Sequence, residues 1–418
     1  MYREVQLKAL LEGKRILIAG YGREGRSAES LIKRLLPKSE YTIADGNEQI
    51  AAESAHGCYD LIIKSPGVPM RVLGGVECSS LTDLFLQVYG DLTIGVTGTK
   101  GKSTTASLIH HLIPGSILAG NIGIPLFDIL DDLHEDSIVV AELSCHQLEN
   151  IHRAPHIAVL LNLYQEHLDH YEDYMGYKMA KMQISLKQQA GDHFFFCTDN
   201  GELRELVESC KIRVKSGLHP YSVGDISDEE RVLLEACPLE GEHNKSNALV
   251  ACRVASLVTR QPISTFNFQR SSFKGLRHRM EKVGVYQGIT WYDDSISTIP
   301  AAAIAAVRAL GRVDTLILGG FDRGIDYTPL VDFLKENPIP NLVFVGAAGR
   351  RIQQMLPTAH YPLPTHIVED DYTKIVPWCA EHTPQGGVVL LSPAAASYDA
   401  FKNFEVRGDF YREQIMKL

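Results

Sequence analysis

The stretch Asp91–Ile109 reads DLTIGVTGTKGKSTTASLI, and its reading decides how the rest of the chain is parsed. Asp91–Thr97 is a short apolar run of the kind buried in a parallel sheet, and the residues from Ser103 onward open a helix. Between them lies Gly98-Thr99-Lys100-Gly101-Lys102-Ser103-Thr104. A glycine-rich turn from strand to helix aims backbone N–H groups and the positive end of the helix dipole at one point, which favours phosphate. Lys102 is placed to reach β- and γ-phosphates, and the Ser103 hydroxyl to reach magnesium. The longer P-loop pattern asks for glycine at position 96, where Val96 stands and Gly95 is one residue out of register, so the loop is a shortened variant.

Upstream, Arg15–Ala19 (RILIA), Tyr41–Ala44 and Leu61–Ile63 read as buried strands, each followed by a turn or a helix. Gly20-Tyr21-Gly22-Arg23-Glu24-Gly25 follows the first strand, and Asp45 stands 20 residues beyond Gly25 at the end of the second. This is the dinucleotide fingerprint, but its chemistry requires only a diphosphate against a helix N-terminus, which a UDP-sugar supplies as well as NAD.

Downstream, Ser137–Ala141 and Ile157–Leu161 read as two more core strands. Glu142 ends the first, and a carboxylate at the carboxyl end of a strand, facing a phosphate loop, suits magnesium. His167, in the stretch Asn162–Tyr171 after the second, offers a neutral imidazole nitrogen to a second metal. By spacing alone, Lys181 reads as an ordinary lysine on a helix surface. A helix follows Asn247, and Phe273–Glu281 looks like a connector. Val313–Leu318, Leu342–Val345 and Val388–Leu391 then restart the strand pattern around helical segments such as Pro300–Leu310. The economical reading is an α/β chain of three successive units, residues 1–90, 91–275 and 276–418.

The bulk properties bound the partners. The 418 residues carry a formal net charge of -10 with no long basic block, which argues against non-specific nucleic-acid binding. Hydrophobic residues are 45% and charged residues 22%, an ordinary globular mixture. The eight cysteines are scattered without a CxxC pair, as expected of reduced thiols in a cytoplasmic protein. The opening MYREVQLKALLEGKR lacks the apolar core of a signal peptide, and no apolar run approaches a membrane span, so no membrane partner is expected.

Taken in order, these pieces resemble the Mur ligase family, and the similarity runs through nearly the whole chain. It rests on the two glycine loops, Ser65-Pro66-Gly67-Val68, Gly120–Gly123 (GNIG), Glu142–Gln147 (ELSCHQ) and Asn162–Tyr171. It continues through Ala180-Lys181, Gly241–Asn247 (GEHNKSN), His278–Glu281 (HRME) and Leu391–Gly408 (LSPAAASYDAFKNFEVRG). The last phrase is most similar to the branch of the family that adds glutamate.

The resemblance implies three domains: a Rossmann-like first domain holding the UDP part of a substrate, a P-loop-type central ATPase domain, and a Rossmann-like C-terminal domain taking the incoming amino acid. Gly22, Asp45, Ser65, Pro66 and Gly67 would then meet the UDP group, and Asn121, Ser144 and Gln147 the muramoyl-peptide side. ATP would sit on Gly98–Thr104, with Asn247, Arg279 and Asp294 meeting the nucleotide from the domain junction. Two magnesium ions are implied, one at Ser103 and Glu142 and a second at His167 and Lys181, where the family carries a carbamylated lysine. Lys102, His167, Lys181 and Arg279 would carry the catalysis. Thr298, Arg323, Ser397 and the backbone near Phe404 would hold the amino acid.

Three positions depart from the family pattern: Ile296 and Arg323 replace lysines, and Tyr164-Gln165-Glu166 replaces a more usual ThrGluAsp. The reaction implied is addition of D-glutamate to UDP-N-acetylmuramoyl-L-alanine through an acyl phosphate, with release of ADP and phosphate, by a cytoplasmic monomer of peptidoglycan precursor synthesis. Another Mur ligase is the nearest alternative. A folylpolyglutamate synthase-like ligase would lack the first unit. An NAD-binding oxidoreductase or regulator would explain Gly20–Gly25 but not Lys102, Glu142 and His167 together.

Overall fold

Helical crossovers make parallel pairing the only short route between the first three strands. In the computed structural model, which describes residues 2–121, 124–166, 170–171, 173–237, 239, 241–266, 277–356 and 365–418, β1 (Ile16–Ala19), β2 (Tyr41–Ala44) and β3 (Leu61–Lys64) form a parallel sheet in the order β2-β1-β3. The helices Arg23–Leu35 and Asn47–Ala55 make the crossovers. The glycine loop after β1 is dictated sterically. Gly20 has φ +90°, and a Cβ there would lie 2.9 Å from Val68 Cγ2. A Cβ on Gly25 would lie 2.1 Å from the Gly20 carbonyl oxygen, so the helix packs against the strand end only because that carbon is missing.

The second sheet contains β4 (Thr93–Thr97), β5 (Ile117–Gly120), β6 (Val139–Glu142), β7 (Ile157–Leu160), β8 (His193–Cys197) and β9 (Gly217–Tyr221). All pair in parallel, in the order β5-β6-β4-β7-β8-β9. The chain leaves β4 toward one edge and later returns to fill the other. The strand order therefore reverses at the carboxyl end of β4, where open α/β sheets bind ligands. β4, β6 and β7 fall where the sequence places strands. β5, β8 and β9 add to the strands read from the sequence, and Pro220 in β9 is tolerated because that strand lies on an edge, where one side needs no partner.

Both sheets belong to one compact unit, Met1–Phe273. Leu7, Phe85, Leu108 and Ile129 share its core, and the Phe85 and Phe127 rings meet edge to face at 5.9 Å. Lys64, at the end of β3, forms a buried ion pair with Glu149 at 2.6 Å and also donates to the Val68 carbonyl at 2.9 Å. The division at residue 90 thus separates two sheets that share a continuous core.

The second unit is Lys274–Leu418. Its strands are β10 (Glu281–Tyr286), β11 (Ile289–Asp293), β12 (Thr315–Gly319), β13 (Asn341–Val345), β14 (Thr365–Val368) and β15 (Val388–Leu391). They form one sheet in the order β10-β11-β15-β12-β13-β14, parallel except for the β10–β11 pair. Gln287 and Gly288, at φ +50° and +73°, make the primed two-residue turn that such a hairpin favours. The loops after β11, β12 and β15 leave neighbouring strands at the same end of the sheet. Among the described residues no helix is long and apolar enough to cross a membrane.

The two loop glycines should respond differently to substitution. Gly25→Ala is expected to cost about 1–3 kcal/mol through forced displacement of the loop. Gly22→Ala, where a Cβ would meet nothing within 4 Å, should change stability by no more than about 0.5 kcal/mol. Thermal melts of the two variants decide this, and equal melting temperatures would remove the steric argument.

Candidate active site

The helix Lys102–Leu112 begins directly after the phosphate loop. Gly101 has φ +84°, and a Cβ there would lie 2.6 Å from Asn247 Oδ1. At Gly98, with φ +153°, it would lie 2.9 Å from Leu161 Cβ. Backbone conformation and neighbours both demand glycine at these two points. Asn162, just beyond β7, clamps the outer limb of the loop. Its Oδ1 accepts from Lys100 N at 2.8 Å, its Nδ2 donates to Lys100 O at 3.0 Å, and its carbonyl accepts from Thr99 N at 3.0 Å. The Thr99 hydroxyl accepts from Tyr164 N at 2.9 Å and lies 2.8 Å from the Tyr177 hydroxyl. Lys102 Nζ donates to the carbonyls of Gly98 and Thr99, at 3.1 and 3.0 Å, and the Lys100 ammonium pairs with Glu166. Ser103 and Thr104 occupy the first turn of the helix.

Glu142 closes β6 in register with Val96 of β4 and Gly120 of β5. It is 2% exposed. One carboxylate oxygen accepts from Asn121 Nδ2 at 2.8 Å, and the other is buried with no hydrogen-bond partner among the described residues. Burying a carboxylate oxygen without a partner is costly unless a cation takes it. The set Ser103, Glu142 and the loop therefore fits a magnesium-bound nucleotide.

Ser144 and Gln147 form a reciprocal capping box on the short helix Cys145–Leu148. The Gln147 amide also donates to Glu24 at 3.0 Å, in the helix that opens at the first glycine loop. At that loop Asp45 Oδ1 accepts from Tyr21 N at 3.0 Å, and Ser65 Oγ donates to the Gly20 carbonyl at 2.8 Å. Pro66 and Gly67 continue the turn beside it, and Gly22 is exposed.

Lys181 corrects the reading from spacing. It is not on the surface: it is 2% exposed on the helix Tyr174–Leu186, donates to the Gly98 carbonyl at 2.8 Å, and lies 5.1 Å from the centroid of the Tyr177 ring. Burial, and then the nearby Lys102 ammonium, push its pKa down to about 7, against the pull of Cys145, Glu166 and Glu142. Its neighbours in sequence, Ala180 and Met182, are buried as well, so helical spacing could not mark which face was covered. His167, the expected partner at the second metal, lies outside the described residues.

In the C-terminal unit Arg279 is half-buried between two residues with left-handed backbones, His278 (φ +61°) and Met280 (φ +48°). His278 Nδ1 lies 2.7 Å from Asp293 Oδ2, and Met280 N donates to Asp294 Oδ1 at 3.1 Å. The other oxygen of Asp294 accepts from Ser392 Oγ at 2.7 Å, and burial lifts its pKa to about 6. Both Asp294 oxygens are thus engaged in holding the turn around Arg279. Asn247, expected at a domain junction, is buried inside the first unit against Gly101.

Arg323 is exposed and its Nη2 donates to the Thr298 carbonyl at 2.7 Å, which brings two expected amino-acid contacts together. Ser397 is buried, and the Phe404 carbonyl accepts from Ser295 Oγ at 2.8 Å. His278, Glu281 and Asp293 lie close enough to share a cation. Glu281, however, is paired with Arg412, and Asp293 with the imidazole, so these donors already have their partners.

The sequence profile of the Mur ligase middle domain matches residues 96–255. The chain is 30% identical to a UDP-N-acetylmuramoylalanine--D-glutamate ligase of Listeria innocua, with 97% of each chain covered. It is 33% identical to a UDP-N-acetylmuramoyl-L-alanine--L-glutamate ligase of a Micromonospora species, again over 97% of each. Among solved structures, the MurF ligase from Thermotoga maritima in complex with ADP shares the fold at a TM-score of 0.55 and 15% identity, over 96% of this chain and 95% of that one.

The buried Lys181 has a consequence for pH. Its pKa is about 7 in the fold and near 10.5 in an unfolded chain, so between those values the unfolded state binds more protons and stability rises with pH. In CO₂-free buffer, Lys181→Met should be more stable than wild type at neutral pH by a few kcal/mol, on the order of 1.4 per pKa unit. The difference should shrink as pH rises toward 10.5. Denaturant melts across that range test this, and a gap independent of pH would contradict it.

Proposed function

The chain belongs to the Mur ligase family, and from that premise we propose that it adds D-glutamate to UDP-N-acetylmuramoyl-L-alanine with consumption of ATP. The observation that carries the reading is the union of three features at one strand-order reversal. These are a phosphate loop held open by Gly98, Gly101 and Asn162, the Glu142 oxygen that has no hydrogen-bond partner among the described residues, and the buried amine of Lys181. Similarity to glutamate ligases over nearly the full length supplies the substrate class.

A carboxylate is a poor acyl donor because oxide is a poor leaving group. The substrate carboxylate attacks the γ-phosphorus, ADP departs, and an acyl phosphate remains. The glutamate amine then attacks the acyl carbon, phosphate leaves, and the amine loses a proton. The backbone donors of Gly98–Thr104 and the Lys102 ammonium hold the phosphates in line. Ser103 and Glu142 would hold one magnesium ion, whose charge offsets that of the phosphates. With a pKa of about 7, a large share of Lys181 is the free amine at physiological pH, which would add CO₂ and release a proton; the resulting carbamate and His167 would hold a second metal ion. That step replaces repulsion between Lys181 and Lys102 with attraction.

Gly22, Asp45, Ser65, Pro66 and Gly67 take the UDP group, Asn121, Ser144 and Gln147 the muramoyl-alanine, and Arg279 the nucleotide. Thr298, Arg323, Ser397 and the backbone at Phe404 take the glutamate. The protein acts in the cytoplasm as a monomer, residues 1–90 serving the UDP-substrate, 91–275 ATP and 276–418 the amino acid. L-Glutamate is the second reading for the amino acid, favoured by the Micromonospora relative.

A coupled ADP-release assay tests the proposal. Turnover should require UDP-N-acetylmuramoyl-L-alanine and glutamate together, and the two glutamate enantiomers assayed separately decide the stereochemistry. Lys102→Ala should abolish turnover and leave UDP-substrate binding intact. Lys181→Ala should lose most activity and regain part of it with added formate. ADP release that ignores the nucleotide-sugar would sink the assignment.

A further inference from the structure

Arg407 is one of the largest fully buried side chains, 1% exposed, and no carboxylate bonds to it among the described residues. Its Nε donates to Ser295 Oγ at 2.9 Å, and Nη2 to the carbonyls of Ser295 at 2.8 Å and Ala395 at 3.2 Å. Nη1 donates to the carbonyls of Ala395 and Ala396, at 3.2 and 3.3 Å. The Ser295 hydroxyl in turn donates a hydrogen bond to the Phe404 carbonyl at 2.8 Å. A Cβ on Gly320 would meet Ala396 O at 2.3 Å and Arg407 Nη1 at 3.1 Å. The guanidinium therefore bonds the loops after β11 and β15, leaves no room for a side chain at Gly320 in the loop after β12, and reaches the first turn of the helix Phe404–Ile415 through Ser295.

These segments lead directly to the residues proposed for the amino acid. Thr298 lies three positions after Ser295, Ser397 one after Ala396, and Arg323 three after Gly320. In a trans peptide the C=O and N–H point opposite ways. Drawing the carbonyls of Ala395 and Ala396 onto the guanidinium turns the N–H groups of Ala396 and Ser397 away from it. A buried cation bonded only to neutral oxygens, with the Asp399 and Asp293 carboxylates acting on it from a distance, is a costly way to fasten loops. Its planar fork of five donors is what serves several directions at once, as a lysine cannot.

We infer that Arg407 is the positioning residue of the incoming amino acid's site, setting the mutual placement of Thr298, Arg323, Ser397 and the Phe404 backbone without touching the substrate. The inference rests on the function proposed above. Loss of the fork should therefore loosen one substrate and spare the other two. Arg407→Lys is expected to raise the KM for glutamate about ten- to a hundredfold, with the KM values for ATP and UDP-N-acetylmuramoyl-L-alanine within about twofold of wild type. Ser295→Ala, which removes a single partner of the guanidinium, should move the glutamate KM the same way by about three- to tenfold.

A merely structural arginine would lower kcat in proportion to the folded fraction and leave every KM in place. That outcome, or a parallel rise of all three KM values, overturns the inference. If Arg407→Lys fails to fold, Ser295→Ala decides by the same criterion. Wild type is assayed first. Absence of glutamate-dependent turnover would overturn the function proposed above, and the KM for whichever amino acid wild type then uses would still decide the role of Arg407.

Discussion

The carboxyl end of β4 is the constraint on which the first unit depends. Parallel strands leave their carboxyl ends on one rim, and the reversal of strand order at β4 keeps the crossover helices on either side from closing over it. The phosphate loop leaves from β4 itself, Glu142 from the strand on one side and Asn162 from just beyond the strand on the other. No long-range search is needed to assemble them, because strand register does it. Asn162 then ties its own strand end to the loop through Lys100 and Thr99. Lys181 reaches the same loop from below, through the Gly98 carbonyl.

Buried charge separates the parts of this unit that fasten from the parts that act. Lys64 and Glu149 are both inside the protein, but their opposite charges lie 2.6 Å apart as an ion pair, and Lys64 also holds the turn at Val68. Such a closed pair stabilises little over an apolar pair, though removing one member is destabilising. Glu142 and Lys181 are not closed in this way. Glu142 keeps one buried oxygen without a hydrogen-bond partner among the described residues, and burial, then the neighbouring Lys102 ammonium, brings the Lys181 pKa down to about 7. A fold selected only for stability would remove both features. Strain of this kind concentrates where a ligand resolves it.

What could be read from the sequence was what is local along the chain. The loop Gly98–Thr104 is a strand, a turn and a helix start in one continuous stretch, and Glu142 stands at a strand end that its own apolar run announces. Burial of Lys181 is a property of what packs on its helix, which no spacing within the helix encodes. The pressing of Asn247 against Gly101 joins residues far apart in sequence, so the motif around Asn247 could be recognised while its place could not. That Pro220 can stand in β9 is evident only once the sheet order places that strand on an edge. Arg407 sat inside a quoted phrase without a role, since its partners at Ser295 and Ala395 belong to other loops.

The loops at the carboxyl ends of the two larger sheets are held in shape by different means. In the first unit glycine does the turning: Gly98 and Gly101 adopt conformations that other residues resist, at an entropic cost taken in the unfolded chain. In the second, Gly319 and Gly320 turn the loop after β12 at φ +111° and +137°, but the loops after β11 and β15 present Ser295, Ala395, Ala396 and Ser397. A buried guanidinium gathers their carbonyls instead. The glycine solution depends on a tight contiguous turn and suits a phosphate chain that runs along one loop. The arginine solution joins loops that leave separate strands, which is the arrangement the proposed site for a small amino acid with two carboxylates would require.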